Sequence, residues 1–182
     1  QLKTNCKQNK NIHSFNKALS NFNGQSLLSI NRSEGTNSLL KSSSDYSHPY
    51  HSITRKHGEE FVLTTTLDEI YPEEYIDILK LDLQGSEYSA IQGAENLLNS
   101  GRVKSIVCEV MFQDQYDNQP TWTSLVSLIT KSGFCLFNMY EVHNHLGQIL
   151  QADLLFVQSE MIKATAKKRT NSFHEFSKLI KY

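Results

Sequence analysis

The stretch IDILKLDLQGSEYSAIQGAENLL, residues 76–98, decides how this chain is read. Residues 76–83 are an apolar run of strand length, rich in Ile and Leu. Gly85 and Ser86 supply a turn and a cap. Glu87 stands in the first helical turn, where the helix dipole favours an acid. Ala90, Ile91, Ala94, Leu97 and Leu98 then follow a helical period, and Gly101 is placed to stop it. Two charges, Lys80 and Asp82, nevertheless interrupt the apolar run.

Downstream, SIVCEVMF (105–112) is a near-continuous apolar strand, followed by the polar loop QDQYDNQP (113–120). Trp122, Leu125, Val126 and Ile129 form a helical stripe ended by Lys131 and Gly133. CLFNMYEV (135–142) and ILQADLLFV (149–157) are two strands joined by HNHLGQ, a connection short enough for a hairpin. Upstream, EFVLTTTLDEI (60–70) reads as a strand running into a turn near Pro72. QSLLSIN (25–31) and NIHSFNKAL (11–19) read as strands around an Asn23-Gly24 turn, and residues 32–58 as a long loop. Leu2 and Cys6, four residues apart, read as the end of a helix.

Strands alternating with helices imply parallel pairing and right-handed crossovers, with an antiparallel hairpin closing the sheet. The expected fold is an open, mostly parallel α/β sheet whose strands are covered on both faces. Residues 1–160 form the domain. Residues 161–182 form a basic tail, its Lys and Arg at 163–169 solvated, with one weak helix near SFHEFSKLI.

The 182 residues are 38% hydrophobic and 20% charged, with a net charge of -1, the composition of a soluble globular domain. This gives no case for nucleic acid or an anionic membrane as partner, and no apolar run reaches the ~20 residues of a span. No signal peptide is read. Cys6, Cys108 and Cys135 are far apart and never in a CxxC pair, which points to a reduced, cytoplasmic protein without a zinc site.

The two charges need an account. Ile76, Ile78, Lys80 and Asp82 share one face of the strand; Leu79, Leu81 and Leu83 share the other. An unpaired buried charge costs several kcal/mol, so Lys80 calls for an anion. Asp82 is two residues along, and Glu109 is the one charge of the next strand, so all three can meet at the carboxyl edge, where open α/β sheets bind ligands. A structural ion pair and a functional site are equally compatible with this pattern. On the same edge, His143 and His145 are candidate bases or solvated loop residues. Tyr116, Asp117 and Gln119 line a substrate cleft or simply a polar loop. His48, His51 and His57 are too irregularly spaced for a metal site.

The quoted stretch resembles the signature of the FkbM-type methyltransferases: a strand with Lys-x-Asp, then Glu-Gly-x-Glu, then a helix with Gly-Ala. Lys80, Asp82, Gly85, Glu87, Gly93 and Ala94 match, while Gln84 stands where Glu is usual. NKALSNFNG (16–24), TTTLDEI (64–70), IVCEVMF (106–112) and LGQILQADLLFV (146–157) resemble further parts of the family in order, over about residues 12–157. The resemblance implies a class I, Rossmann-like sheet and S-adenosylmethionine as methyl donor. It also implies a sugar or secondary-metabolite hydroxyl as acceptor. Lys17, Ala18 and Leu19 would flank the adenine. Asp82 would face the methyl and the substrate as first choice of base, Glu109 as second and a loop histidine (His143 or His145) as third, with Lys80 orienting the carboxylates. Tyr116 would line the acceptor side. No metal ligand set is evident.

The eight glycines, at 24, 35, 58, 85, 93, 101, 133 and 147, include no GxG, whereas the family's first strand ends in a glycine-rich turn and its second in an acid. The expectation is a chain lacking the first strands of the sheet, binding the cofactor poorly and inactive by itself. The alternative is a shortened, non-catalytic module that keeps the sheet to bind a partner.

Overall fold

A computed structural model describes residues 11–43 and 48–165. In chain order these hold β1 (Ala18–Leu19), β2 (Gly24–Asn31), a 3-10 turn (Glu34–Thr36), α1 (His51–Thr54), β3 (Lys56–Thr65) and α2 (Leu67–Ile70). They continue with β4 (Ile76–Leu81), α3 (Glu87–Gln92), α4 (Glu95–Asn99), β5 (Val103–Met111), α5 (Trp122–Lys131), β6 (Phe134–His145) and β7 (Gln148–Gln158). Residues 159–165 are helical. The helix expected around Leu2 and Cys6, and that near SFHEFSKLI, lie outside the described residues.

This is a mixed α/β architecture with two sheets, ordered β1-β3-β2 and β4-β5-β7-β6. β4 and β5 pair in parallel, with Leu79 opposite Ile106 and Leu81 opposite Cys108. β7 is antiparallel to both β5 and β6, so β4, β5 and β6 run one way and β7 alone reverses. The expectation of a mostly parallel sheet is thus corrected in detail. Strand directions are mostly shared, but two of the three pairings in this sheet are antiparallel, because the closing hairpin inserts its second strand between β5 and β6. The hairpin turn is also tighter than expected. Only Leu146 and Gly147 lie between the strands, both with positive φ (49° and 80°), as a two-residue hairpin requires.

The core lies on one face of the four-stranded sheet. Leu79 and Leu81, Ile106, Cys108 and Val110, and Ala152, Leu154 and Phe156 are all buried there, against Ala90, Ile91, Leu97, Leu98, Leu125 and Ile129 of the helices. The opposite face is open among the described residues, where Ile78 is 65% exposed. Coverage on both faces is therefore not found, and Lys80 is not buried: its side chain is 47% exposed.

The helix expected over 87–98 is broken in two at Gly93 and Ala94. A Cβ on Gly93 would lie 2.2 Å from the backbone oxygen of Ser20, so only glycine lets β1's exit loop approach this closely. Asp68 then starts α4 from outside. Its carboxylate accepts from the backbone N–H of Asn96 (3.0 Å) and Leu97 (2.8 Å), and its own N–H donates to the Gly93 carbonyl (3.0 Å). Thr66 caps α2 by accepting from Glu69 N, and Thr121 caps α5 by accepting from Ser124 N.

The amino-terminal part departs most from expectation. Only Ala18–Leu19 of the 11–19 segment is strand. The long loop contains the 3-10 turn, α1 and bridges at Ser38 and Ser42, the latter pairing with Tyr116. No helix among the described residues is long and apolar enough to cross a membrane.

Candidate functional site

The carboxyl end of β4 leads into a sharp turn. Gln84 and Gly85 both take positive φ, 53° and 91°. A Cβ at Gly85 would lie 2.9 Å from Tyr116 Cδ2, so the turn requires glycine twice over, for its torsion and for space. The Ser38 hydroxyl donates to the Gln84 carbonyl at 2.6 Å, fixing the turn from the other sheet's connection.

Glu87 holds the turn from beneath. Its carboxylate accepts from the Leu83 backbone N–H at 2.6 Å, and the residue is 3% exposed. Burial pushes its pKa up to about 7. The Asp82 charge adds to this, while hydrogen bonds from the backbone N–H groups of Glu87, Leu83 and Gly85 pull it back.

Above the turn, Asp82 and Glu109 come together through the Gln84 amide. Its Nε2 donates to Asp82 Oδ1 at 3.0 Å and to Glu109 Oε2 at 2.9 Å. Gln84 Oε1 in turn accepts from the Tyr116 hydroxyl at 3.1 Å. The other oxygen of Glu109 accepts from Gln151 Nε2 at 2.9 Å, and Gln151 Oε1 accepts from Gln115 Nε2 at 3.0 Å. Asp82 is exposed whereas Glu109 is buried. Burial pushes the Glu109 pKa up to about 8, with the charges of Asp82 and Glu87 and a hydrogen bond with Asp82 acting the same way. The same cluster is felt at Tyr50, whose hydroxyl is raised first by burial and then by the Glu109 charge.

Lys80 does meet an anion, but neither of the two expected. Its Nζ pairs with Asp153 Oδ2 at 2.6 Å. Asp153 lies on β7 directly opposite Glu109, so the lysine reaches across β5. Partial burial lowers its pKa, but the Asp153 hydrogen bond and the charges of Asp153, Asp82 and Glu109 outweigh that and leave it raised. Asp82 and Glu109 thus act on Lys80 through space, while Asp153 binds it.

The other expected residues divide. Tyr116 belongs to the cluster from below: it is 2% exposed, and its hydroxyl also donates to the Thr36 carbonyl at 3.0 Å. His143 sits on β6 opposite Gln151, beside the cluster, whereas His145 pairs with Gln148 at the hairpin end. Both are exposed strand residues rather than turn residues. Lys17 and Ala18 line a separate open cleft of about 460 Å³ with Phe15, Leu28, Glu60 and Phe61, while Leu19 packs against the core. No group of three or more His, Cys, Asp or Glu that could hold a metal ion occurs among the described residues.

Sequence reasoning missed Asp153 and Gln151 as members of the site. Both are polar residues of one face inside the apolar run ILQADLLFV, the same signal that singles out Lys80 and Asp82. Glu87 carried no such signal, since an acid in a first helical turn is ordinarily solvated.

The family model of the methyltransferase FkbM domain matches residues 2–146 of the chain. Comparison with curated proteins gives no match, and comparison with solved structures gives none either.

Proposed function

Since this chain belongs to the FkbM methyltransferase family, we propose that the Asp82–Glu109 pair is the proton-handling rim of a methyl-transfer site using S-adenosylmethionine on a Rossmann-like sheet, the acceptor being a hydroxyl of a sugar or secondary metabolite. The observation that carries this reading is the exposed Asp82 carboxylate beside the buried Glu109, both held by one Gln84 amide.

The residues present suit part of such a cofactor. The cleft beside Lys17 and Ala18 presents Phe15, Phe61 and Leu28 to a flat adenine, with Glu60 in the same wall. The exposed Asp82 carboxylate stands at the rim, where it would attract a sulfonium, while Glu109 holds its proton and Asp153 is paired with Lys80. When bound, the cofactor supplies an electrophilic methyl group on a sulfonium that departs as a neutral thioether.

The chain's own part is alignment and proton transfer. Asp82 accepts the hydrogen bond of the acceptor hydroxyl and orients its oxygen for in-line attack. As the new O–CH3 bond forms, the hydroxyl proton passes to the Asp82 carboxylate, within reach of Glu109. Glu109 keeps its own proton up to about pH 8, so at neutral pH the proton-accepting role falls to Asp82. Lys80 balances the charge of the cluster from its pair with Asp153. Gln84 and Tyr116 hold the two carboxylates in register, and His143 borders the acceptor side.

The test is Asp82→Asn in the full-length protein, assayed with isotopically labelled methyl donor against a panel of glycan and metabolite hydroxyls. The expected outcome is turnover lowered about 100-fold, with donor affinity by calorimetry changed less than about threefold. Unchanged turnover would remove Asp82 from the mechanism. A wild-type protein that transfers no methyl group but retains a protein partner would support the non-catalytic alternative.

A further inference from the structure

A second polar site lies at the far end of the β2–β3 pairing, where Arg32 N donates to Arg55 O at 2.9 Å. There a cleft of about 510 Å³ is lined by Asn31, Arg32, Arg55, Lys56 and His57. The register explains the concentration of charge. Ile30 faces Gly58 and Asn31 faces Lys56, so His57 is the extra residue of a bulge, the device by which strands re-aim side chains. Of the cations, Lys56 is paired with Glu59. Arg32 and Arg55, brought side by side by their backbone hydrogen bond, take part in no ion pair among the described residues. Both are exposed, and their two positive charges line the open cleft with no carboxylate paired to either among the described residues.

We propose that this cleft binds a tetrahedral oxyanion, the phosphate or sulfate group of a monoester. Guanidinium groups present planar forks of N–H donors matched to such oxygens, and two neighbouring forks give a bidentate clamp that a single lysine does not. The His57 imidazole adds a further donor from the same bulge. Asn31 is the floor and is committed elsewhere: its side chain accepts from the Ser42 hydroxyl at 2.9 Å and donates to the Thr36 carbonyl. That carbonyl also accepts from Tyr116, which holds Gln84, so the cleft backs onto the wall of the carboxylate cluster while carrying the opposite charge. The site stands independently of the methyl-transfer reading, since its assay contains no methyl donor.

The experiment is a titration of the full chain with inorganic phosphate and with sulfate at constant ionic strength, followed by NMR of arginine side-chain N–H and backbone amides, with chloride and acetate as controls. Saturable shifts confined to residues 31–32 and 55–58 are expected. Weakening of about tenfold or more is expected in Arg32→Gln/Arg55→Gln, whose thermal melt checks that the fold is kept. Should that double variant unfold, each single variant is titrated, and the expected loss is several-fold apiece. Equal shifts with chloride, or phosphate binding undiminished in a folded variant, would overturn the proposal.

Discussion

Replacing Glu87 by Gln isolates the group that holds the β4 turn. The glutamine keeps the shape and an oxygen to accept the Leu83 N–H now bonded at 2.6 Å, but it cannot ionise. In the native chain the Glu87 pKa is raised from 4.5 to about 7. A carboxyl raised on folding binds its proton more tightly in the native than in the unfolded state. Its contribution is therefore fully present below the unfolded pKa and is lost as pH climbs through the folded one. The rise from 4.5 to about 7, at about 1.4 kcal/mol per pH unit, bounds the loss at about 3–4 kcal/mol. Urea unfolding of both proteins between about pH 5 and about pH 9 reads it directly. Near the acid end the two should have similar stability. Near the alkaline end the Gln variant should be the more stable by up to about 3–4 kcal/mol. Glu109, raised to about 8, adds a slope of the same sign in both proteins and largely cancels from the difference. Because the Glu87 charge helps raise Glu109, the variant should also titrate Glu109 at lower pH. Parallel stability curves for the two proteins would refute the picture of a buried, proton-retaining Glu87.

Gly93→Ala should destabilise by about 2–4 kcal/mol in urea melts, because the added methyl meets backbone rather than a movable side chain at 2.2 Å. Gln84→Glu places a third carboxylate against Asp82 and Glu109, removes the amide donor to both, and should raise the Glu109 pKa above its native value of about 8, read by NMR titration of its carboxyl carbon. Lys80→Met should change stability by less than about 1 kcal/mol despite its 2.6 Å contact, since a side chain 47% exposed is screened by water; chemical denaturation checks this.

The legible part of this fold was the part written in local period. The alternation through 76–81 put Leu79 and Leu81 on the buried face, and the apolar stripe of 122–131 put Leu125 and Ile129 against the sheet. The helix over 87–98 was legible in its face but not in its break. Its cause, the Ser20 backbone, lies more than seventy residues away in the chain, where no periodicity records it. The same holds at the site. Asp82 and Glu109 stood out as charges in apolar runs, and they do share one Gln84 amide. The partner of Lys80 was misassigned because it depends on strand order.

The sequence by itself determined the family, the main strands and helices, and Asp82 and Glu109 as the carboxylates to watch, since side-chain chemistry and spacing along the chain are sufficient for these. The tertiary structure alone decided that β7 enters antiparallel between β5 and β6, which brings Asp153 to Lys80 and Gln151 to Glu109. It alone decided that the face bearing Lys80 is open among the described residues and that Glu87 is closed off from water. Hydrogen-bond pairing between strands and desolvation of a carboxyl are set by which distant segments pack together, and that information is carried by the whole chain rather than by any stretch of it.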